Sequence, residues 1–559
     1  MAATWAGAPK IRGPSDPVRM VLLTVCLSGV QLVWGIEMAY CSPYLLSLGL
    51  TKSLMSLVWN IGPLSGLITQ PVVGAIADRS RSHKTGRRRP VMVVGATAVA
   101  MALISLGWTK EIVGLFFSPG ETANTCTILL AILSIYLVDF AINAVQACCR
   151  ALIVDTLPIP QQQHGSAWAS RMIAVGNIAG YFAGTIDLMS IFGATIGDTQ
   201  FKQLMVLASI SLMSCVLITC FSVEERVLLT RRKSDGGSTA LQVFALIWKT
   251  MWHLPTGIWD MCVVLFWAWI GWFPFMVYST TFVAEVLKRY DTVARESLET
   301  SDDALGDIAR VGSMALVLFS CVSLAASVLL PWAVDSPESR KGVKRHIVPI
   351  SSLERLSEKI APYKPNLANT WIFGHIIYAF LMLTTIFIGT VGSATFCVAL
   401  SGGSWALMTW APFSIVGEEI NKLCESSGTV HRPRSGPYDP VAQNELDHDV
   451  QEMEMIRASI SADAAPIVAD PEVQSHESSD LAGVYLGIMN VFSCLPQFVG
   501  SFISFAVFSI LEPGKSPEFS EGGSSEAPTY RVNAIAVCMG IGGIATLVAA
   551  HFTTRFRYR

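Results

Sequence analysis

The chain carries about twelve apolar runs, each long enough to cross a bilayer as a helix. They lie near residues 20–44, 54–77, 90–108, 127–149, 171–192, 203–222, 258–284, 311–334, 371–390, 393–416, 481–509 and 532–552. A span needs about 20 mainly apolar residues. In hydrocarbon the backbone must satisfy its own hydrogen bonds, which leaves the helix as the natural form for such runs. Composition agrees: of 559 residues, 52% are hydrophobic and 14% charged, against about 25% charged in an average soluble domain. That apolar surface exceeds what a globule of this length can bury, so lipid takes the rest. The chain is expected to be an all-α membrane protein. A soluble multidomain chain, a collagen, a coiled coil, a disulfide scaffold and a wholly disordered chain are excluded. A net charge of −3 gives no reason to expect nucleic acid as a partner.

The run from Trp371 to Val416 is too long for one helix, and Gly389-Thr-Val-Gly392 is the expected turn within it. The thirteen cysteines show no zinc spacing and read as small buried hydrophobes. The first 19 residues lack the short apolar core and small-residue site of a cleaved signal peptide, so the first run is read as a true span.

Loop charge sets the expected orientation, since Lys and Arg gather on the cytoplasmic side. Arg79, Arg81, Lys84, Arg87, Arg88 and Arg89 follow span two; Arg226, Arg231, Arg232 and Lys233 follow span six; Arg340, Lys341, Lys344 and Arg345 follow span eight. The terminal segments 1–19 and 553–559 are basic too. An even number of spans puts all of these on one side, so both termini are expected in the cytoplasm. The expected organisation is a cytoplasmic segment 1–19, a six-helix bundle 20–222, a cytoplasmic linker 223–257 and a second six-helix bundle 258–552. Within the second bundle, 417–480 is rich in Ser, Asp, Glu and Pro. It is expected to be a largely disordered cytoplasmic loop, either a tolerated insertion or a regulatory tail.

Polar side chains inside spans are costly, about 2.5–3.5 kcal/mol for a centred Asp, and therefore mark candidate sites. Asp139, Asn143, Gln146 and Arg150 in span four follow i, i+4, i+7, i+11 and line one helical face. That stripe is expected to face a wet cavity, where Asp139 serves as a proton carrier or a substrate ligand; the alternative is a hydrogen-bonded strut. Arg171, just inside span five, either approaches Asp139 as its counter-charge and takes part in binding, or snorkels to the interface. In span one, Gln31, Trp34 and Glu37 share a face. A carboxylate and an amide beside aromatic rings suit a polyhydroxylated ligand; helix packing is the other reading. Asn60, Gln70, Asn177, Trp272, Trp410, Asn490 and Gln497 are weaker candidates, and each is more simply packing glue. His375 is expected at the interface. No metal-binding, ATP-binding or K⁺-filter motif is present, and no cofactor or enzymatic activity is expected.

Gly74-Ala-Ile-Ala-Asp78-Arg79, followed by Gly86-Arg87-Arg88-Arg89, resembles the loop between spans two and three of the major facilitator superfamily. There it acts as a conformational latch, an acid at a helix end pairing with basic groups across the two halves. The stretch from Ser47 to Pro71, Cys149-Arg150-Ala-Leu-Ile-Val-Asp155, Trp272-Phe-Pro-Phe275, Trp410-Ala-Pro-Phe413 and Gly487-Ile-Met-Asn490 with Pro496-Gln497 resemble the sucrose transporter family within the glycoside–pentoside–hexuronide:cation symporters. Trp34-Gly-Ile-Glu37-Met-Ala-Tyr40 and the long loop are most like its fungal branch. The resemblance implies the major facilitator fold and proton-coupled uptake of a disaccharide by a functional monomer. It puts the coupling acid at Asp139 and latch charges at Arg150 and Asp155. Two features depart from plant members: Lys52 stands where they carry a His before span two, and of their acids at the outer end of span seven only Glu285 remains. Sucrose, maltose and related glucosides therefore all remain open.

A plasma-membrane location is expected, with a vacuolar or other endomembrane location as the alternative. The other functional readings are a transporter of another small solute, an uncoupled uniporter, and a non-transporting sugar sensor.

Overall fold

The computed structural model describes residues 4–6, 9–79, 86–157, 159–225, 227–230, 245, 248–252, 254–291, 303–334, 364–426, 471–512 and 532–558. The first bundle comprises α1 (Asp16–Ser47), α2 (Lys52–Val58), α3 (Ile61–Arg79), α4 (Arg89–Gly107), the short α5 (Thr109–Gly114), α6 (Glu121–Thr156), α7 (Ile159–Thr185), the short α8 (Leu188–Phe192) and α9 (Gln200–Ser222). The second comprises α10 (Thr256–Tyr290), α11 (Ala304–Ala333), α12 (Leu367–Thr384), α13 (Val391–Ser426), α14 (Pro471–Leu511) and α15 (Ala534–Thr553). The turn expected between spans nine and ten is present: a 3₁₀ turn at Thr385–Phe387 ends one helix before α13 begins at Val391.

Among the described residues, ten helical segments are long and apolar enough to cross a membrane. Two further long helices, α3 and α7, pack alongside them and complete the alternation of directions. Both lie on the seam between the halves, α3 against α14 and α7 against α11, so protein covers part of the surface that lipid would otherwise cover. With this alternation both termini fall at the end where the basic loops gather, here called the basic end; the opposite end is the far end.

The halves meet where span one packs on spans seven and eight (α1 on α10 and α11), span two on span eleven (α2 and α3 on α14), and span five on span eight (α7 on α11). The pairings one on seven, two on eleven and five on eight map onto themselves when the halves are exchanged, as in a two-fold arrangement. Direct hydrogen bonds across the seam lie in its far-end part. Ser42 Oγ donates to the Val277 carbonyl at 3.3 Å, and the Gln200 amide donates to Asp303 Oδ2 at 2.8 Å.

Small residues set the depth of packing inside the first half. Gly176, Gly180 and Gly184 recur every fourth residue along α7 and form a flat ridge against α1. A Cβ at Gly180 would lie 2.7 Å from the Leu32 carbonyl oxygen, so α1 can approach this closely only if position 180 has no side chain.

Two observations depart from the all-helical expectation and its loop boundaries. β1 (Thr4–Ala6) pairs antiparallel with β4 (Val227–Thr230), and β2 (Lys10–Ile11) with β3 (Val223–Glu224). The N-terminal segment is thereby stitched to the start of the linker. The segment 417–480, expected to be disordered, is helical at both ends: α13 runs on to Ser426 and α14 begins at Pro471. Residues 427–470 lie outside the described residues.

Substituting Gly180→Val places two methyl groups against the α1 backbone. Overpacking of this kind costs about 1–3 kcal/mol. The purified variant is expected to lose thermal stability in detergent, with a lower midpoint in a fluorescence-detected unfolding series; a midpoint equal to that of the parent chain contradicts the packing described.

Candidate functional site

The site is built on α6. Asp139, Asn143 and Gln146 are all buried on one face of it. Asn143 Nδ2 donates to Ser65 Oγ of α3 and to the Asp139 carbonyl, each at 2.9 Å. A Cβ at Gly66 would lie 3.9 Å from Asn143 Oδ1 and 3.8 Å from Cys494 Sγ of α14. The polar stripe of α6 thus faces the seam between the halves, where α14 carries the half-buried Asn490 and Gln497.

α1 supplies the other wall. Glu37 is 2% exposed and Asp139 3%, and the two carboxyls lie within electrostatic range of each other. The Trp34 indole lies beside Asp139. Among the described residues neither oxygen of Glu37 has a hydrogen-bond partner, and neither does Asp139 Oδ2. A buried polar atom without a partner costs roughly 1–3 kcal/mol or more. Three unmet acceptors near one another are groups that hydroxyl donors would satisfy. Gln31 packs its Cβ against Gly176 of α7, half-buried on the same helix.

The structure separates other expected residues from this group. Arg171 is exposed on the face of α7 that carries the exposed Val175 and Phe182, and its guanidinium lies 4.8 Å from the Trp168 ring centre. This is the snorkelling arrangement, and it leaves Arg171 outside the Asp139 group. Arg150 is exposed and has no hydrogen-bond or ion-pair partner among the described residues. His375, expected at the interface, is 3% exposed and stacks against Trp371 with ring centres 5.0 Å apart. The alternation of α12 turns it into the second bundle and away from the surface. Trp272 is a core residue, stacked on Tyr378 at 3.9 Å.

The basic cluster after span two is held within the first half. Arg87 reaches Asp155 at 2.6 Å and Arg88 reaches it at 3.1 Å. The Glu225 carboxylate accepts the backbone N–H groups of Arg87, Arg88 and Arg89, each at 2.9 Å, at the start of α4. Gly86, at φ +80°, makes the turn that aims these amides at it. Among the described residues, the pairs of Arg87 and Arg88 with Asp155 lie inside the first half. Gly74 lies within α3, and the side chains of Asp78 and Arg79 lie outside the described residues.

A second charge cluster lies at the far end, and sequence reasoning missed it as a unit. Lys52 Nζ donates to Glu285 Oε2 at 2.8 Å and to Glu512 Oε2 at 2.6 Å. Arg289 pairs with Glu285, four residues earlier on α10, and with Glu512 Oε1 at 2.9 Å. The Lys52 and Glu285 side chains are 1% and 0% exposed. Among the described residues, two cations and two anions thus join the first half to the second, Lys52 and Glu285 fully buried and Arg289 and Glu512 nearly so. Burial opposes charge on Glu512, but Lys52 and Arg289 outweigh it and hold its carboxyl below the usual carboxylate range. A depressed value means that the contribution of Glu512 is present at neutral pH and is lost only as pH falls through that lowered value. The Glu285–Arg289 spacing was the available signal; Glu512 and Lys52 are joined to it only by tertiary contact.

A seam lined by acids and amides, sealed at one end by ion pairs and lying between two bundles related by exchange, defines a helical transporter. Comparisons with known proteins agree. The family described as MFS/sugar transport protein matches residues 25–293. A general alpha-glucoside permease of Schizosaccharomyces pombe is 36% identical over 461 residues, covering 73% of this chain and 82% of its own length. A sucrose transport protein of Oryza sativa, SUT2, is 30% identical over 332 residues, covering 56% of this chain and 65% of that one. The solved D-xylose–proton symporter shares the fold at a TM-score of 0.51 and 12% identity, over 96% of this chain and 98% of that one. A proton-dependent oligopeptide transporter structure gives 0.53 at 10% identity, over 97% and 98%. The chain belongs to the sucrose and α-glucoside transporter family of the major facilitator superfamily.

Removing one partner of a buried ion pair costs about 3–5 kcal/mol. Lys52→Met leaves Glu285 and Glu512 with Arg289 as their one cation among the described residues and is expected to open the far end. In unsealed membranes, a cysteine introduced by Ser504→Cys, at a fully buried position of α14, then reacts several-fold faster with a hydrophilic maleimide than the same cysteine in the parent chain. Equal labelling rates contradict the sealing role.

Proposed function

We propose that this protein is a proton-coupled symporter that imports a disaccharide or related glucoside by alternating access. The observation that carries the reading is the Asp139–Glu37 group: buried acceptors without partners, on the seam between two bundles whose far end is closed. Membership of the α-glucoside and sucrose transporter family supports a glucoside as the cargo. Hydroxyl groups of the sugar meet the unpartnered oxygens, while Trp34, Asn143 and Gln146 offer a ring edge and amides. Asn490 and Gln497 supply matching donors and acceptors from the second half. Asp139 is the proton-coupling acid.

In this reading the basic end faces the cytoplasm and the protein resides in the plasma membrane, where the proton gradient points inward. One charge crossing 100 mV releases about 2.3 kcal/mol, and each pH unit adds about 1.4 kcal/mol. One proton per cycle therefore supports tenfold accumulation or more. The Lys52–Glu512 network closes the outer end and opens to admit sugar. Arg87 and Arg88, held by Asp155, reorganise when the inner end closes.

The test is uptake of labelled sucrose and labelled maltose in transport-deficient yeast at external pH 5 and pH 7.5, with and without a protonophore. Expected is accumulation that is greater at pH 5, collapses with the protonophore, and is abolished by Asp139→Asn with the variant present at the cell surface. Accumulation that survives Asp139→Asn removes Asp139 from its role. Sugar binding without flux would instead support the sensor reading.

A further inference from the structure

We propose that Glu37 is a second proton-binding group of the coupling site, so that the transported proton is shared between Glu37 and Asp139. The inference rests on the symport reading of the site and adds a residue to its proton chemistry.

The geometry carries it. Both carboxyls are buried, one from α1 and one from α6, two helices that pack on each other, and they lie within electrostatic range of each other. The groups near them are few. Cys41 lies one turn along α1 from Glu37, Tyr136 approaches Asp139 from α6, and the Trp34 indole lies beside Asp139. No Lys, Arg or His of the neighbouring helices pairs with either carboxyl among the described residues. Arg150 and Arg171, the nearest expected cations, are exposed elsewhere. The contrast with the far-end network is sharp: there every buried carboxylate has a cation at 3 Å or less.

Two carboxylates within electrostatic range of each other out of water, with no cation between them, repel strongly. The empty pair therefore keeps one proton and one negative charge. Loading adds a second proton to a carboxylate oxygen, which leaves the pair neutral beside the sugar. Unloading returns that proton to water at the open end. The only bond formed or broken is O–H, and the cycle moves one proton.

A residue that only binds sugar and one that shares the proton give different kinetics. Glu37→Gln keeps the shape and the hydrogen-bonding capacity but removes the carboxyl that shares the resident proton, so the monoanion is no longer held by that sharing. Expected is a shift of the pH midpoint of uptake to less acid values by about one unit or more, with the sugar KM at the acid plateau within about threefold of the parent. A KM raised at every pH with the midpoint unchanged overturns the proposal and leaves Glu37 a sugar ligand. The outer lock does not confuse this reading, because Glu512 titrates below the usual carboxylate range. Should Glu37→Gln prove inactive throughout, Glu37→Asp decides: it draws the carboxyl back, and a smaller shift in the same direction supports the proposal, whereas an unmoved midpoint overturns it. Asp139→Asn is measured in parallel. If that variant still accumulates sugar, the symport reading has failed; if it does not and Glu37→Gln keeps the parent midpoint, only this inference has.

Discussion

A charge taken out of water without a partner is among the most costly things a protein can hold, and this molecule treats that cost in two opposite ways. At the far end, Lys52, Glu285, Arg289 and Glu512 are buried together, and every carboxylate has its cation. Such a network is stable only when both halves supply their members, so it couples closure of that end to the positions of α2, α10 and α14. In the middle of the seam, Glu37 and Asp139 are buried with no cation paired to them among the described residues. That arrangement is tolerable only with protons, sugar hydroxyls or water to relieve it. A site that is unsatisfied in the protein alone binds what satisfies it.

The packing explains why these two places are linked. The glycine ridge of α7 lets α1 lie close, and α1 carries Glu37 on one face and contacts both α10 and α11 across the seam. A change in the tilt of α1 therefore moves the carboxyl pair and the far-end contacts together. α6 is anchored at its basic end through Asp155, which holds Arg87 and Arg88. Glu225 ties the start of α4 to the strand pairs that engage the N-terminal segment. The first half is thus a braced body, a requirement for halves that move against each other as units.

Much of this was legible in the chain. Apolar run length alone marked the spans, because lipid leaves a backbone few choices. The turn after span nine followed from its two glycines. The stripe on α6 was readable because helical periodicity puts residues 139, 143 and 146 on one face whatever surrounds them. Periodicity did not separate Arg150 and Arg171 from that group: each lies near a helix end, where a long side chain chooses between cavity and interface according to its neighbours. His375 was misplaced for a related reason. Position along a helix is readable, but which side faces lipid depends on the packing partners. The short strands of the N-terminal segment were invisible because their pairing joins residues more than 200 positions apart.

The sequence by itself determined that this protein spans a membrane many times, which end of the bundle gathers positive charge, and that an acid in span four stands on a polar face. Each of these follows from local composition and from the fixed geometry of a helix. Only the tertiary structure decided that Glu37 and Asp139 are buried within electrostatic range of each other, that Lys52 is shared by two carboxylates of the other half, and that Asp155 holds Arg87 and Arg88. Those are meetings of side chains from distant segments, set by how helices pack.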